Sequence, residues 1–166
     1  KYIIFDVDDT LLDYGSAFHA AQRAIADYLK VEYTEEYIAL SEKLGWKAWE
    51  EAGLDDTDSK DVQENYHSYY FQYLRQHYKD LIEAYNANAS VEELVEIYIK
   101  SVSSSKVFME ECTLQVYKAL SEKYRLVLAT NGIDRIFLST KRRERDTKCF
   151  IPLPFLDNQN LLVFKR

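Results

Sequence analysis

Tyr2-Ile3-Ile4-Phe5-Asp6-Val7-Asp8-Asp9-Thr10 runs four apolar residues straight into three carboxylates and a hydroxyl. The apolar run is short and lacks helical periodicity, so it predicts a β-strand buried on both faces. Charges do not belong inside a buried sheet, which places Asp6 to Thr10 at its carboxyl edge. In open α/β sheets that edge is where ligands bind. Residues two apart in a nearly extended chain point the same way, so Asp6 and Asp8 share a side. Two converging carboxylates repel each other unless a cation lies between them. A small set of hard oxygen ligands suits Mg²⁺, which keeps several waters and joins a substrate phosphate. One carboxylate can then attack phosphorus while the second handles protons. Standing alone, such a pair reads as solvated loop acids capping a helix. The strand before it and Thr10 after it favour the functional reading.

Across 166 residues, 47% are hydrophobic and 30% charged, as in folded soluble proteins. Four glycines and two prolines predict few tight turns and much helix. The net charge of −7 and the pI near 5.0 argue against a polymeric nucleic-acid partner. A small phosphorylated ligand remains compatible, because a bound metal inverts the local charge. Cys112 and Cys149 have neither metal-ligand spacing nor the look of a disulfide framework, which predicts reduced thiols and a cytoplasmic protein. No apolar run reaches membrane length, and the opening run is too short for a signal sequence. Lys1 stands where an initiator Met is expected, which suggests a processed, trimmed or incomplete N-terminus.

The chain after Thr10 reads as helix. Ser16 is the expected N-cap of a helix carrying Phe18, Ala21, Ile25, Tyr28 and Leu29. Thr34 opens a second, with Glu35 and Glu36 near its positive end, Ile38, Leu40, Leu44 and Trp49 as apolar surface, and Gly53 as its stop. Asp55-Asp56-Thr57-Asp58-Ser59 reads as an acidic turn and cap, without the glycine and glutamate positions of a calcium loop. A long helical region from Ser59 to about Tyr85, broken once, puts Tyr66, Tyr69, Tyr70, Tyr73, Leu74 and His77 on a core face. His67 and His77 fall on different faces and do not pair as ligands. Ser90-Val91-Glu92-Glu93 is a capping box for a helix with Leu94, Ile97 and Tyr98 on one face. Val102 to Lys106 reads as a serine-rich hinge. A further helix is expected from about Glu110 to Tyr124. Arg125 to Thr130 is the second buried strand, ending in Thr130-Asn131-Gly132. A Thr hydroxyl and free N–H groups at a helix start make a phosphate cradle, although a plain strand-to-helix turn has the same letters. A right-handed crossover would set the two strands parallel, with both polar ends on one edge.

Phe5-Asp6-Val7-Asp8-Asp9-Thr10-Leu11 and Leu128-Ala129-Thr130-Asn131-Gly132 resemble the first and second motifs of the haloacid dehalogenase (HAD) superfamily of phosphohydrolases. The resemblance covers roughly 2–137, and its texture is closest to the pyrimidine 5′-nucleotidases. It implies an α/β fold: a Rossmann-like parallel sheet core, shortened at its end, with an inserted all-helical cap. The core would comprise 1–14 and 103–166, and the cap 15–102. It further implies a Mg²⁺-dependent phosphomonoester hydrolase acting on nucleoside 5′-monophosphates or another small phosphorylated metabolite. Asp6 would be the nucleophile that forms an aspartyl-phosphate. Asp8 would protonate the leaving oxygen and then activate water. Asp6 and the backbone carbonyl of Asp8 would bind Mg²⁺, and Thr130 with the Asn131 backbone would hold the phosphate. The name-giving dehalogenases lack a carboxylate at the position of Asp8, so its presence favours phosphate chemistry.

The tail departs from the family pattern. The lysine and acidic pair expected on later strands have no clear counterpart among Lys141, Lys148, Lys165 and Asp157, and the basic run 141–148, which could attract phosphate, reads sooner as a solvated turn. This supports an alternative, a catalytically impaired HAD-fold chain that binds phosphates or a partner without turnover. It also leaves the strand bearing Asp6 with an open edge through which copies would associate. A signalling receiver domain fits poorly, because it needs a phospho-accepting Asp after a central strand and only helices are expected between Thr10 and Arg125.

Overall fold

The computed structural model describes residues 1–6, 8–105, 112–130 and 162–165, apart from the side chains of 114, 128–130 and 162–165. The element order is β1 (Tyr2–Asp6), α1 (Tyr14–Leu29), α2 (Glu35–Glu51), α3 (Lys60–Ala84), α4 (Val91–Ser105), α5 (Thr113–Ser121), β2 (Arg125–Thr130) and β3 (Leu162–Lys165). The described chain is thus mostly helical, with a small parallel sheet of order β1-β2-β3. Its packing falls into two units, 1–20 with 100–166, and 21–99. The chain passes between them within α1 and α4. No described helix is long and apolar enough to cross a membrane.

In the first unit β1 pairs in parallel with β2, from Tyr2 opposite Arg125 to Asp6 opposite Ala129. Ile3 and Phe5 pack on a core of Leu11, Leu12, Tyr117 and Leu126, joined by Leu120 and Tyr124. Phe5 meets Tyr117 of α5 with ring centres 5.7 Å apart. The other face corrects the expectation of a strand covered on both sides: Tyr2 is 58% exposed and Ile4 67%. Alternate residues of a strand face opposite sides, and α5 packs on the side of Ile3 and Phe5 only. Arg125 instead reaches over the exposed Tyr2 ring, 5.9 Å from its centre.

The expected serine-rich hinge is helix as far as Ser105. Serine hydroxyls folded back onto the helix make this possible: Ser104 Oγ donates to the Lys100 carbonyl at 2.8 Å and to that of Ser101 at 3.2 Å. The α5 helix starts at Thr113, and the expected turn at Glu110 lies outside the described residues. So do Cys149 and the basic run; Cys112 is exposed and unpaired in any disulfide.

The second unit is helical throughout. Thr34 caps α2 as expected, its Oγ1 accepting from the Tyr37 N–H at 3.2 Å. The buried stripe of α2 is Tyr37, Ser41, Gly45 and Ala48, not the larger Ile38, Leu40, Leu44 and Trp49, which are half-buried. Small residues let α3 approach closely: a Cβ on Gly45 would stand 3.4 Å from the His77 ring. The α3 core face holds Tyr70, Leu74, His77, Tyr78 and Leu81, and the expected break falls at Asn65, where the backbone leaves helical geometry. From α4, Leu94, Val95 and Tyr98 are buried.

A polar chain runs through this apolar bundle. Gln22 Oε1 accepts from the Tyr37 hydroxyl at 3.2 Å and from Ser41 Oγ at 2.9 Å. Ser41 Oγ lies 3.1 Å from His77 Nε2. Because the proton of Ser41 goes to Gln22, His77 must donate through Nε2–H, leaving Nδ1 a bare acceptor. His77 Nδ1 and Gln22 Nε2 are buried without a hydrogen-bond partner among the described residues. Burial, outweighing a hydrogen bond to the Ser41 backbone and the nearby Asp80 charge, lowers the His77 pKa to about 4.

Candidate active site

Asp6 is the last residue of β1, exposed, and paired in register with Ala129. Thr130, the next residue of β2, is the backbone partner of Lys165 in β3. The backbones of Asp6 and Thr130 therefore meet at the carboxyl edge of a parallel sheet, where α/β folds place ligands. The Thr130 side chain and the whole of Asn131 lie outside the described residues, so the expected phosphate cradle is placed only by the Thr130 backbone.

Past the strand the chain folds into a tight turn. Asp8 and Leu12 form a parallel backbone bridge. The Asp9 N–H donates to the Leu12 carbonyl at 2.8 Å. Leu11 and Leu12 are buried and peg the turn into the core beside Tyr117. Asp8 is half-buried within it. Thr10 Oγ1 donates to Asp6 Oδ2 at 3.3 Å, so one carboxylate oxygen of the expected nucleophile is held from within its own motif.

The third carboxylate has a different task. Asp9 takes a left-handed backbone, φ 56°, which Asp tolerates better than most residues. Its Oδ1 accepts from the N–H groups of Tyr14 at 3.0 Å and Gly15 at 3.4 Å, the first two donors of α1. The third goes to Asp13, whose Oδ1 accepts from the Ser16 N–H at 2.8 Å while Oδ2 accepts from Ser16 Oγ. These hydrogen bonds, side-chain first, hold the Asp13 carboxyl below its usual pKa. The cap of α1 is thus Asp13, and the expected cap Ser16, one turn in, donates to it through both its N–H and its Oγ. Asp is a preferred N-cap residue and Asp13 stands three residues before Ser16, so the signal was in the sequence.

The donor chemistry fits Mg²⁺. Asp6 and Asp8 offer carboxylate and carbonyl oxygens on one turn, and Mg²⁺ commonly takes one or two carboxylates together with waters and a phosphate. Among the described residues no group of three or more His, Cys, Asp or Glu gathers around a common point. A complete protein cage is therefore not formed by them.

No protein-family model matches this sequence. No curated protein matches it either. Among solved structures it is similar to the magnesium-bound form of YfnB from Bacillus subtilis, assigned as a HAD-hydrolase and notable for interdomain movement. That likeness has a TM-score of 0.62 at 19% identity and covers 82% of this chain. The chain spans 56% of the length of YfnB, little more than half. Over most of its length, the fold of this chain is similar to that of YfnB, and Asp6 closes its first strand.

Proposed function

We propose that this chain is a Mg²⁺-dependent phosphomonoesterase of the HAD type, acting in the cytoplasm on nucleoside 5′-monophosphates or similarly small phosphorylated metabolites. The observation that carries the reading is Asp6, closing β1 beside the end of β2 with Asp8 two residues on. In this reading 1–14 and 103–166 form the core, and 15–102 a helical insert that selects the substrate.

Asp6 attacks phosphorus, and the bond from phosphorus to the ester oxygen breaks. Asp8 gives its proton to that leaving oxygen. Asp8 then takes a proton from water as the water attacks the phosphorus of the aspartyl-phosphate, which frees inorganic phosphate and restores the Asp6 carboxylate. Thr10, hydrogen-bonded to Asp6 Oδ2, fixes which oxygen faces the substrate. Thr130 and the Asn131 backbone hold the phosphoryl oxygens. The Asp6 carboxylate and the Asp8 carbonyl would hold Mg²⁺, which would supply the positive charge that an anionic nucleophile needs beside an anionic phosphate.

The test is phosphate release from a panel of nucleoside monophosphates, with Mg²⁺ and with chelator. Asp6→Asn should abolish turnover. Asp8→Asn should slow it by about 10²–10⁴-fold, the usual worth of a positioned proton donor. Full activity in Asp6→Asn would end the nucleophile assignment. Phosphate binding without turnover in the parent chain would favour the impaired-remnant reading. Light scattering on the same preparation reports whether the β1 edge draws in a second copy.

A further inference from the structure

We infer that Asp9, the third acid of the motif, is a positioning residue that holds Asp8 and Thr10 in place by clamping their turn to the start of α1. The inference rests on the phosphatase reading of Asp6 and Asp8 and deepens it.

Asp9 is tied at three points. Its N–H reaches back to the Leu12 carbonyl. Its carboxylate crosses to the Tyr14 and Gly15 N–H groups. Its backbone is left-handed, a conformation that Asn and Gly also adopt but branched or bulky residues do not. Its two chain neighbours do the work at the site: Asp8 precedes it, and Thr10, which orients Asp6, follows it. A shift of Asp9 would therefore move the proton-transfer group and release the nucleophile's hydrogen bond together.

The charge pattern agrees. A helix start is a natural anion site, with free N–H groups and the positive end of the dipole. Here Asp9 and Asp13 take the first three N–H groups of α1, so that site is filled from within the chain. A substrate phosphate must find its donors elsewhere on the sheet edge. Oδ1 of Asp9 is committed to two amides, which suits a clamp. Asp13 caps only the Ser16 N–H, so the link from the turn to the first two α1 amides is made by Asp9.

The experiment uses the whole chain and two variants. Asp9→Asn keeps the left-handed tolerance and one carbonyl acceptor. Asp9→Gly keeps the backbone freedom and removes the acceptor. The expected kcat of Asp9→Asn lies within about threefold of the parent, while Asp9→Gly falls by roughly 10–100-fold with KM nearly unchanged. Amide exchange of Tyr14 and Gly15, measured without substrate, should quicken by about tenfold in Asp9→Gly and stay near the parent rate in Asp9→Asn. Loss of turnover in Asp9→Asn equal to that of Asp6→Asn would overturn the proposal, since a base or ligand needs the charge. So would parent-like kcat in Asp9→Gly once its amides exchange faster. If the parent chain itself releases no phosphate, the phosphatase reading fails separately. Unchanged exchange in Asp9→Gly would then still refute the clamp.

Discussion

Acid should weaken the helical unit through one residue. His77 is 2% exposed, its ring stacked on Tyr78 with centres 4.7 Å apart and on Tyr73 at 6.0 Å. Neutral, it donates through Nε2 to Ser41; charged, it would also bury an Nδ1–H with no acceptor. Asp80 lies nearby but is engaged by Lys47 at 3.0 Å. Burial lowers the folded-state pKa from 6.5 to about 4. The unfolded chain keeps the ordinary value and takes up the proton first. His77 therefore withdraws nothing above about pH 6.5, withdraws stability as pH falls towards 4, and adds no further loss below that. The full shift corresponds to about 3 kcal/mol, of which roughly 2 kcal/mol is lost between about pH 7.5 and pH 5.0. Both tryptophans, Trp46 and Trp49, lie in α2, so their fluorescence in urea reports this unit. His77→Gln should be less stable at neutral pH, having lost the ring stack, yet lose about 2 kcal/mol less than the parent between those two pH values. Parallel pH profiles for parent and variant would refute the reasoning. So would an NMR titration placing the His77 ring midpoint near 6.5.

Two further substitutions test how that unit is built, each read by urea unfolding on tryptophan fluorescence. Leu74→Ala, at a fully buried α3 position, should cost about 2–5 kcal/mol, the range for a buried leucine emptied to a cavity. Thr34→Ala should cost about 1 kcal/mol by leaving the Tyr37 N–H without its cap, and Thr34→Ser should restore most of it.

Much of the architecture was legible because hydrophobic periodicity is a local signal. Thr34 and the strand Arg125 to Thr130 announce themselves within a few residues, whereas the break expected in the long helix is located at Asn65 only by the structure. What went unread depends on partners distant in sequence. A four-residue apolar run looks the same whether one face is covered or both, and only the position of α5 shows that Ile3 and Phe5 are packed while Tyr2 and Ile4 are exposed. The Gln22–Ser41–His77 chain draws one residue from each of three helices. No window of sequence contains it, and Ser41 and Gly45 look like weak points in α2 until α3 is laid against them. Serines near 102–105 were misleading for the opposite reason. Their hydroxyls bond backbone carbonyls equally well inside a helix or outside it, so composition cannot tell a hinge from a helix end.

The candidate site divides in the same way. Asp6 and Asp8 can be proposed from residue type and spacing, because a strand end that carries carboxylates suits phosphate chemistry and an extended chain would point residues two apart the same way. Asp9 carries the same side chain and is their immediate neighbour, so composition offers no reason to treat it differently. The difference is made by φ. At +56° the chain reverses, the Asp9 carboxylate is thrown towards α1 and away from the extended alternation, and it meets amides that a β-region residue would not reach. On the proposed reading, one backbone angle sets Asp9, which holds the turn, apart from Asp6 and Asp8, which serve the substrate. Replacing Asp9 by Val, a residue for which the left-handed region is a genuine outlier, should therefore damage the site more than Asp9→Gly does, although both remove the same carboxylate.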